Sequence, residues 1–411
     1  MPDKMQVATL ANDDAVGEYV PVASFHDDGF SVAEEVADAH QHHHHHHHHG
    51  APILRAVVET APVLPKDKLV WYNIVTLTLW HIGALYAIRL ICAGRVASSV
   101  SALGVALWWA SGLGITAGAH RLWAHKSYSA KLELRVFLAA LNSMAFQGSI
   151  HEWARDHRTH HKGSDTTADP HNMGRGFFFA HMGWVCVRKH PDVFALGRKI
   201  PMDDLEADAV VAWQKRHYLL SVLAMCYVAP ALLGAWLQGG PDGAWAGFWV
   251  AGVLRHVWVL HMTWLVNSAA HMWGDKPYDP ESKPSENLLV SIGAIGEGWH
   301  NYHHKFPSDY AAGEYDVTQG SYNPTKLFID CCAALGLVTD RKRQKRSTLA
   351  GLRVKNARLA SQRGDLTCKQ LRADDSLLRT LFDTRGRGAA VLVENMAQLV
   401  CFGTSSENFL Q

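Results

Sequence analysis

Four apolar stretches constrain this chain more than any other feature. They cover residues 69–91, 96–119, 217–238 and 243–266 and fall into two close pairs. Each has about the 20 residues a helix needs to cross the hydrocarbon core of a bilayer. Hydrocarbon offers no water to backbone N–H and C=O groups, so a crossing segment closes its hydrogen bonds as a helix. Buried helices of soluble proteins are usually shorter and more amphipathic. Only Cys92, Ala93, Gly94 and Arg95 join the first pair, and a Gly-Gly-Pro-Asp-Gly turn at 239–243 joins the second. Trp and Tyr near several ends suit interfacial anchors. The expectation is an all-α integral membrane protein whose four transmembrane helices form two hairpins.

The rest of the 411 residues divides around those hairpins. Residues 1–65 are acidic, dotted with Pro and without apolar periodicity, and they contain an uninterrupted histidine run at 42–49. They read as a disordered cytosolic segment with a low-complexity insert. No basic n-region followed by an apolar core opens the chain, so no cleaved signal peptide is expected. Residues 66–340 form the membrane domain, and 341–411 a cytosolic tail with no assignable role. Lys and Arg are frequent in 121–216 and just after Asp340, absent from the second connector and single in the first. The positive-inside rule then puts both termini and the long interval in the cytosol, in agreement with an even number of crossings. A further apolar run, 132–144, is too short to cross and suits the membrane surface. Seven cysteines (92, 186, 226, 331, 332, 368, 401) form no C-x-x-C pair. That excludes a disulfide scaffold and a zinc ribbon and fits a reducing compartment. Net charge is +1, so no overall field draws nucleic acid.

Histidine is the residue that carries chemistry here. Outside the 42–49 run, three clusters lie in the cytosolic parts: His120 and His125, then His157, His160 and His161, then His300, His303 and His304. The second and third share the pattern H-x-x-H-H. Positions i, i+3 and i+4 of a helix fall on one face, so three imidazoles can converge on a metal. His271, in Asn-Ser-Ala-Ala-His, is a ninth candidate. Imidazole suits zinc, copper, iron and nickel. Structural zinc takes four ligands and often uses cysteine, which these clusters lack. Eight or nine imidazoles suit two ions, and a redox pair of irons is the natural candidate. His81, Arg255, His256 and His261 fall inside apolar stretches, where ionisable groups are rare and need partners.

The order H-x4-H, H-x2-H-H, H-x2-H-H between two helical hairpins resembles the membrane fatty acyl desaturases. Longer flanks resemble the animal acyl-CoA desaturases of the stearoyl-CoA, delta-9 type. They are Gly-Ile-Thr-Ala-Gly-Ala-His ending at His120, Glu-Trp-Ala-Arg-Asp-His ending at His157, Ala-Asp-Pro-His-Asn at 168–172 and Gly-Glu-Gly-Trp-His ending at His300. The resemblance covers about 69–340 and implies a cytosolic, histidine-rich catalytic cap on the hairpins. It implies that His120, His125, His157, His160, His161, His271, His300, His303 and His304 bind two ferrous ions, with Asn267 holding a metal-bound water. It implies substrate contacts at Asn73, Arg155, Asp156, Arg188, Lys189 and Trp264. Phosphates of a CoA would suit the cationic members of that set. After Gln147 the chain has Gly148 and Ser149, where the family usually offers an asparagine to the substrate.

The implied reaction inserts a cis double bond, at delta-9, into a long-chain saturated acyl-CoA such as palmitoyl- or stearoyl-CoA. The oxidant is dioxygen, activated at the irons. No fused haem motif His-Pro-Gly-Gly occurs, so electrons would come from NAD(P)H through cytochrome b5 reductase and cytochrome b5. The location implied is the endoplasmic reticulum membrane, with lipid around the spans and no nucleic-acid partner. Trp108, Trp109 and Ser111 lie where an acyl tunnel would end. Other regiochemistry, a membrane di-iron hydroxylase and a non-catalytic relative share the histidine pattern. A zinc transporter is disfavoured, because the spans contain no Asp or Glu and the clusters lie outside them.

Overall fold

The computed structural model describes residues 68–362. The histidine run, Cys368, Cys401 and the tail after 362 lie outside the described residues. In chain order the main elements are helices α1 (Trp71–Cys92), α2 (Ser98–Ala124), α3 (Leu132–Ala145) and α4 (Ile150–Gly163). Then come α5 (Tyr218–Gln238), α6 (240–267), α7 (His300–Lys305), α8 (Pro324–Ala334) and α9 (Arg346–Gln362). Short helical turns and loops link them, and a two-residue ladder pairs Ser129–Ala130 antiparallel with Val338–Thr339.

Among the described residues, α1, α2 and α5 are long and apolar enough to cross a bilayer. The chain is a membrane protein. The fourth stretch also forms one continuous helix, α6, but Arg255, His256 and His261 dilute its apolar content. On α1 the exposed side chains Trp71, Val75, Leu79, Ile82 and Leu85 recur at steps of three and four, while Leu77, Ala84 and Ala87 are buried. That places an apolar stripe outward and small residues inward. Helix α5 does the same with exposed Leu219, Leu223, Leu232 and Trp236. Helices α5 and α6 meet through glycine: a Cβ on Gly247 would stand 2.3 Å from the Pro230 carbonyl oxygen. Lipid supplies no hydrophobic drive between helices, so close backbone approach has to hold them.

The ionisable groups inside the apolar layer find partners. Buried Arg255 donates to the carbonyls of Ala251, Met144 and Cys226 at 3.1, 2.7 and 3.1 Å. It thereby ties α6 to the end of α3 and to α5. His81 Nε2 meets His261 Nε2 at 2.9 Å, His261 Nδ1 meets His181 Nε2 at 2.9 Å, and His181 Nδ1 meets Ser268 Oγ at 3.0 Å. Every heteroatom in that chain is hydrogen-bonded, as the medium requires.

The remaining helices pack on the end of α2, in a core cluster that includes Trp123, Leu138, Ile150, Leu205, Val211 and Ile329. Helix α4 starts in a capping box: the Ser149 hydroxyl accepts the Glu152 N–H and the Glu152 carboxylate accepts the Ser149 N–H. The described part of the tail is attached to this body of helices. Arg343 pairs with buried Asp309 at 3.1 Å, and Arg353 pairs with Glu314 at 2.9 Å. Leu349 on α9 packs against Tyr278 and Tyr302, the latter a residue of α7.

Candidate metal centre and substrate pocket

His120 and His125 share a face because α2 changes its winding before it reaches them. Five residues along an α-helix are about 140° apart around the axis. Over Gly114–Ala124 the helix is π-wound, with N–H bonded five residues back. The His125 N–H donates to the His120 carbonyl at 3.0 Å, so the two rings align. The widened segment begins at Gly114, where a Cβ would stand 2.3 Å from the backbone of Leu141 and Asn142. Only glycine lets α3 cross there.

The nine rings sort into two clusters, His120, His125, His157, His161 and His303 in one and His160, His271, His300 and His304 in the other. Each H-x-x-H-H helix serves both. Helix α4 gives its first and last histidine to the five-ring cluster and its middle one, His160, to the other. Helix α7 does the reverse, sending His303 across. The Nε2 atoms converge: His120 to His303 at 3.0 Å, His125 to His157 at 2.8 Å and His161 to His303 at 2.9 Å. In the second cluster His160 meets His304 at 3.2 Å, His271 meets His300 at 3.0 Å and His304 meets His300 at 3.1 Å.

Three carboxylates fix which nitrogen faces inward. Glu297 Oε2 lies 3.1 Å from His120 Nδ1, Asp169 Oδ1 lies 2.9 Å from His160 Nδ1, and Asp165 Oδ2 lies 3.4 Å from His271 Nδ1. An Nδ1–H held by a carboxylate leaves the Nε2 lone pair for a metal. Burial would push the Glu297 carboxyl up, but Arg121 and His120 outweigh it and hold it below the usual range. Asp169 is likewise held well down against its burial, by His160 and His171. Burial first, then neighbouring imidazoles, pulls His125, His157, His161, His300, His303 and His304 far below the ordinary histidine value. These six rings are thereby held toward the neutral form, and the Nε2 atoms of the clusters face one another. A divalent cation in each cluster would turn that repulsion into bonding, and the all-nitrogen donor set fits a transition metal.

Arg121 anchors the centre. Its guanidinium is buried and donates to Glu297 at 2.8 and 3.0 Å and to the carbonyls of Tyr310 and Ala311. The sequence reading gave no role to Arg121, Glu297, Asp165 or Asp169. The signal was present: each carboxylate lies within eight residues of a histidine cluster. A third grouping, His160, Asp169 and His171, shares His160 with the second cluster.

Two narrow pockets reach the clusters. One runs from Trp108, Gly112 and Ile115 to His120, His160, His300 and Asn267 and is mostly apolar. Of the residues expected at a tunnel end, Trp108 lines it. Trp109 is partly exposed, and the Ser111 hydroxyl bonds the Leu107 carbonyl. The other pocket brings together Asn73, Asp156, Trp264 and Asn267 with Gln147, His157, His171 and Trp184. Asp156 pairs with Lys189 at 2.5 Å and lies 3.8 Å from Arg155. Arg188 is exposed beside them. Gly148 sits at φ +96 with open space around a Cβ, and its N–H donates to Tyr218 Oη at 2.8 Å.

The model of the fatty acid desaturase family matches residues 96–311. The chain is 51% identical over 284 residues to human stearoyl-CoA desaturase 5, covering 68% of this chain and 82% of that one. It is 51% identical over 285 residues to human stearoyl-CoA desaturase, covering 69% and 77%. It is 50% identical over 285 residues to an acyl-CoA desaturase of Cyprinus carpio, covering 69% and 85%. The chain belongs to the fatty acid desaturase family. It is an oxidoreductase of fatty acid metabolism.

Proposed function

We propose that this protein is an acyl-CoA desaturase that inserts a cis double bond at delta-9 into stearoyl- or palmitoyl-CoA. The observation that carries the reading is the meeting of two converged imidazole clusters with two pockets of different character. The first pocket is apolar and suits a saturated tail. The second lies next to Asp156, Lys189, Arg155 and Arg188, a polar rim suited to a phosphorylated carrier. Four crossings in two hairpins, with α6 as the fourth, put the cap and both termini in the cytosol. The endoplasmic reticulum membrane is the location this topology and family suggest.

The nine histidines would hold two irons, with Asn267 beside the four-ring cluster to hold a water. When bound, the irons supply the oxidation of an unactivated methylene by dioxygen, which no side chain can perform. The chain's own residues bind, orient and protect. Carboxylates at Nδ1 of His120, His160 and His271 keep those rings aimed. Trp153, Val259 and Thr263 line the pockets next to the clusters and exclude water from the reacting carbons. The polar rim fixes the carrier, so distance along the tail selects the carbon that reaches the metals. Each turnover consumes one dioxygen, two electrons and two protons and removes two hydrogens from the tail, leaving two waters. Cytochrome b5 and its NAD(P)H-dependent reductase are the proposed electron source.

Expression in a desaturase-deficient yeast with double-bond mapping of the lipids tests this reading. The expected product is lighter than the substrate by two hydrogens, with the bond at carbon nine. A product heavier by one oxygen would make the protein a hydroxylase.

A further inference from the structure

Three of the nine histidines sit on a helix too short to stand alone. Helix α7 runs only from His300 to Lys305, and isolated helices shorter than about 12–15 residues are marginal in water. His300, His303 and His304 face the clusters, so at about 100° per residue Asn301 and Tyr302 turn to the opposite side. Both are fully buried. Tyr302 packs against Leu349 of α9, in a part of the tail beyond residues 96–311 that the family model matches.

That part of the tail, Lys342–Asn356, reaches three of the four elements that carry histidines. Beside His125, the Lys342 N–H donates to the Ser127 carbonyl at 2.9 Å and Lys342 Nζ to the Lys126 carbonyl at 2.7 Å. Beside α7, Asp309 Oδ2 accepts the Tyr302 hydroxyl at 2.6 Å and the Gln344 N–H at 2.9 Å, while Arg343 pairs with Oδ1. The reach to His271 runs through the loop 275–285. Arg353 pairs with Glu314 at 2.9 Å and donates to Tyr278 Oη at 2.8 Å. Asn356 Nδ2 donates to the carbonyls of Pro277 and Tyr278 at 2.9 and 3.0 Å. The loop is bonded in turn to α7, since Asn301 Oδ1 accepts the N–H groups of Tyr278 and Asp279 at 2.8 and 3.1 Å. At its far end the Ser285 N–H donates to the carbonyl of Ala270, next to His271, at 2.7 Å.

Among the described residues, none of Lys342–Asn356 lines either pocket that reaches the clusters. A segment that holds the histidine-bearing elements and leaves the substrate space alone acts on the metals. We propose that Lys342–Asn356 is a strap that positions the rings of the four-ring cluster, with Arg353 as its central positioning residue. One guanidinium there joins the tail to Tyr278 and Glu314, which precede and follow α7 in the chain. This inference rests on the two-metal reading above. The clusters depend on the strap unequally. His271, His300 and His304, three rings of the four, lie on elements that it holds. In the five-ring cluster His120, His157 and His161 lie on α2 and α4, which leaves His303 and, through the loop that follows it, His125.

Release of ferrous ion from the loaded full-length protein to a coloured chelator, followed without oxygen, tests the proposal apart from turnover. The wild type should give up two ions per chain slowly. Arg353→Ala should release one of them about tenfold faster or more, the scale on which losing a partner behind a ligand acts, and the other at the wild-type rate. Arg353→Lys keeps a cation for Glu314 and should recover most of that loss. Asn356→Ala cuts only the two bonds to the loop carbonyls and should act in the same direction by a smaller factor, so the test stands even where Arg353→Ala fails to fold. In steady state both alanine variants should lower kcat and leave the KM for acyl-CoA unchanged, because the pockets stay intact. Two ions leaving together at one faster rate would mark a general loosening of the fold and overturn the proposal. So would wild-type release rates in both alanine variants. A wild type that holds fewer than two ions at saturation would instead bring down the two-metal reading.

Discussion

The two imidazole clusters are built on the same exchange and completed differently. Each takes the outer pair of one H-x-x-H-H helix and the middle ring of the other. The five-ring cluster adds His120 and His125 from the π-wound end of α2, while the four-ring cluster adds only His271 from a single turn, Ala269–His271. Asn267, four residues before His271, lines both pockets. Both centres line the first pocket, through His120 and His157 of one and His160 and His300 of the other, so the difference between them is the number of donors, five against four. The smaller donor set leaves more of a metal's coordination positions to a ligand that the protein does not supply.

Breaking the exchange should have the largest effect. His303→Ala or His160→Ala removes a ligand that one helix lends to the other's cluster, so both the site and the link between helices are lost. Turnover should fall below detection, and metal analysis should show about one ion fewer per chain. The completing ligands should rank below these and differ from each other. His271→Ala leaves three rings, whereas His125→Ala leaves four. The metal lost by His271→Ala should therefore exceed that lost by His125→Ala, measured on protein purified side by side. Equal losses would show that the clusters do not differ in redundancy.

The carboxylates come next. Glu297→Gln leaves His120 without its anionic partner and Arg121 buried against a neutral amide. Removing one charge of a buried pair typically costs about 3–5 kcal/mol, and losing a partner behind a ligand costs about 10–100-fold in metal affinity or activity. Asp165→Asn should cost less, because the Asp165–His271 contact is longer, 3.4 Å against 3.1 Å for Glu297 and His120. Competition with a chelator would rank the two variants.

Much of this comparison was legible before any coordinates. The i, i+3, i+4 spacing of His157, His160 and His161, and of His300, His303 and His304, follows from the α-helical period. The apolar lengths gave α1, α2 and α5 within a few residues. The H-x4-H pair was not legible in the same way, since five residues align only in π winding, and that winding is set by α3 crossing at Gly114. Nor could spacing reveal that each helix splits its histidines between two sites. The partners of Arg255 are backbone carbonyls, which carry no sequence signature. The pairing of His81, His261 and His181 joins residues up to 180 positions apart. Asp169 and Glu297 lie in the flanks that carry the resemblance and Asp165 does not, and the function of all three appears only once the Nδ1 distances are known.

The smallest expected effect separates the two H-x-x-H-H helices by how each is capped. Helix α4 is capped by its own Ser149 and Glu152. Helix α7 depends on a distant carboxyl, since the Tyr302 N–H in its first turn donates to Glu286 Oε1 at 2.7 Å. Burial pushes the Glu286 carboxyl up to about 8 from an ordinary 4.5, although the Tyr302 N–H opposes the shift. A carboxyl whose value is higher folded than unfolded binds its proton more tightly in the folded state. Its contribution to stability is complete below the unfolded value and fades as pH rises through the folded one. The window here therefore runs from about pH 4.5 to about pH 8. Glu286→Gln keeps an oxygen for the Tyr302 N–H and removes the titration. Thermal melting of the two proteins from pH 6 to 9 should show the variant gaining on the wild type as pH rises, by a few degrees at most for a chain of this size. A difference in melting temperature that stays constant with pH would show that the cap of α7 does not titrate, and that both histidine helices are held alike.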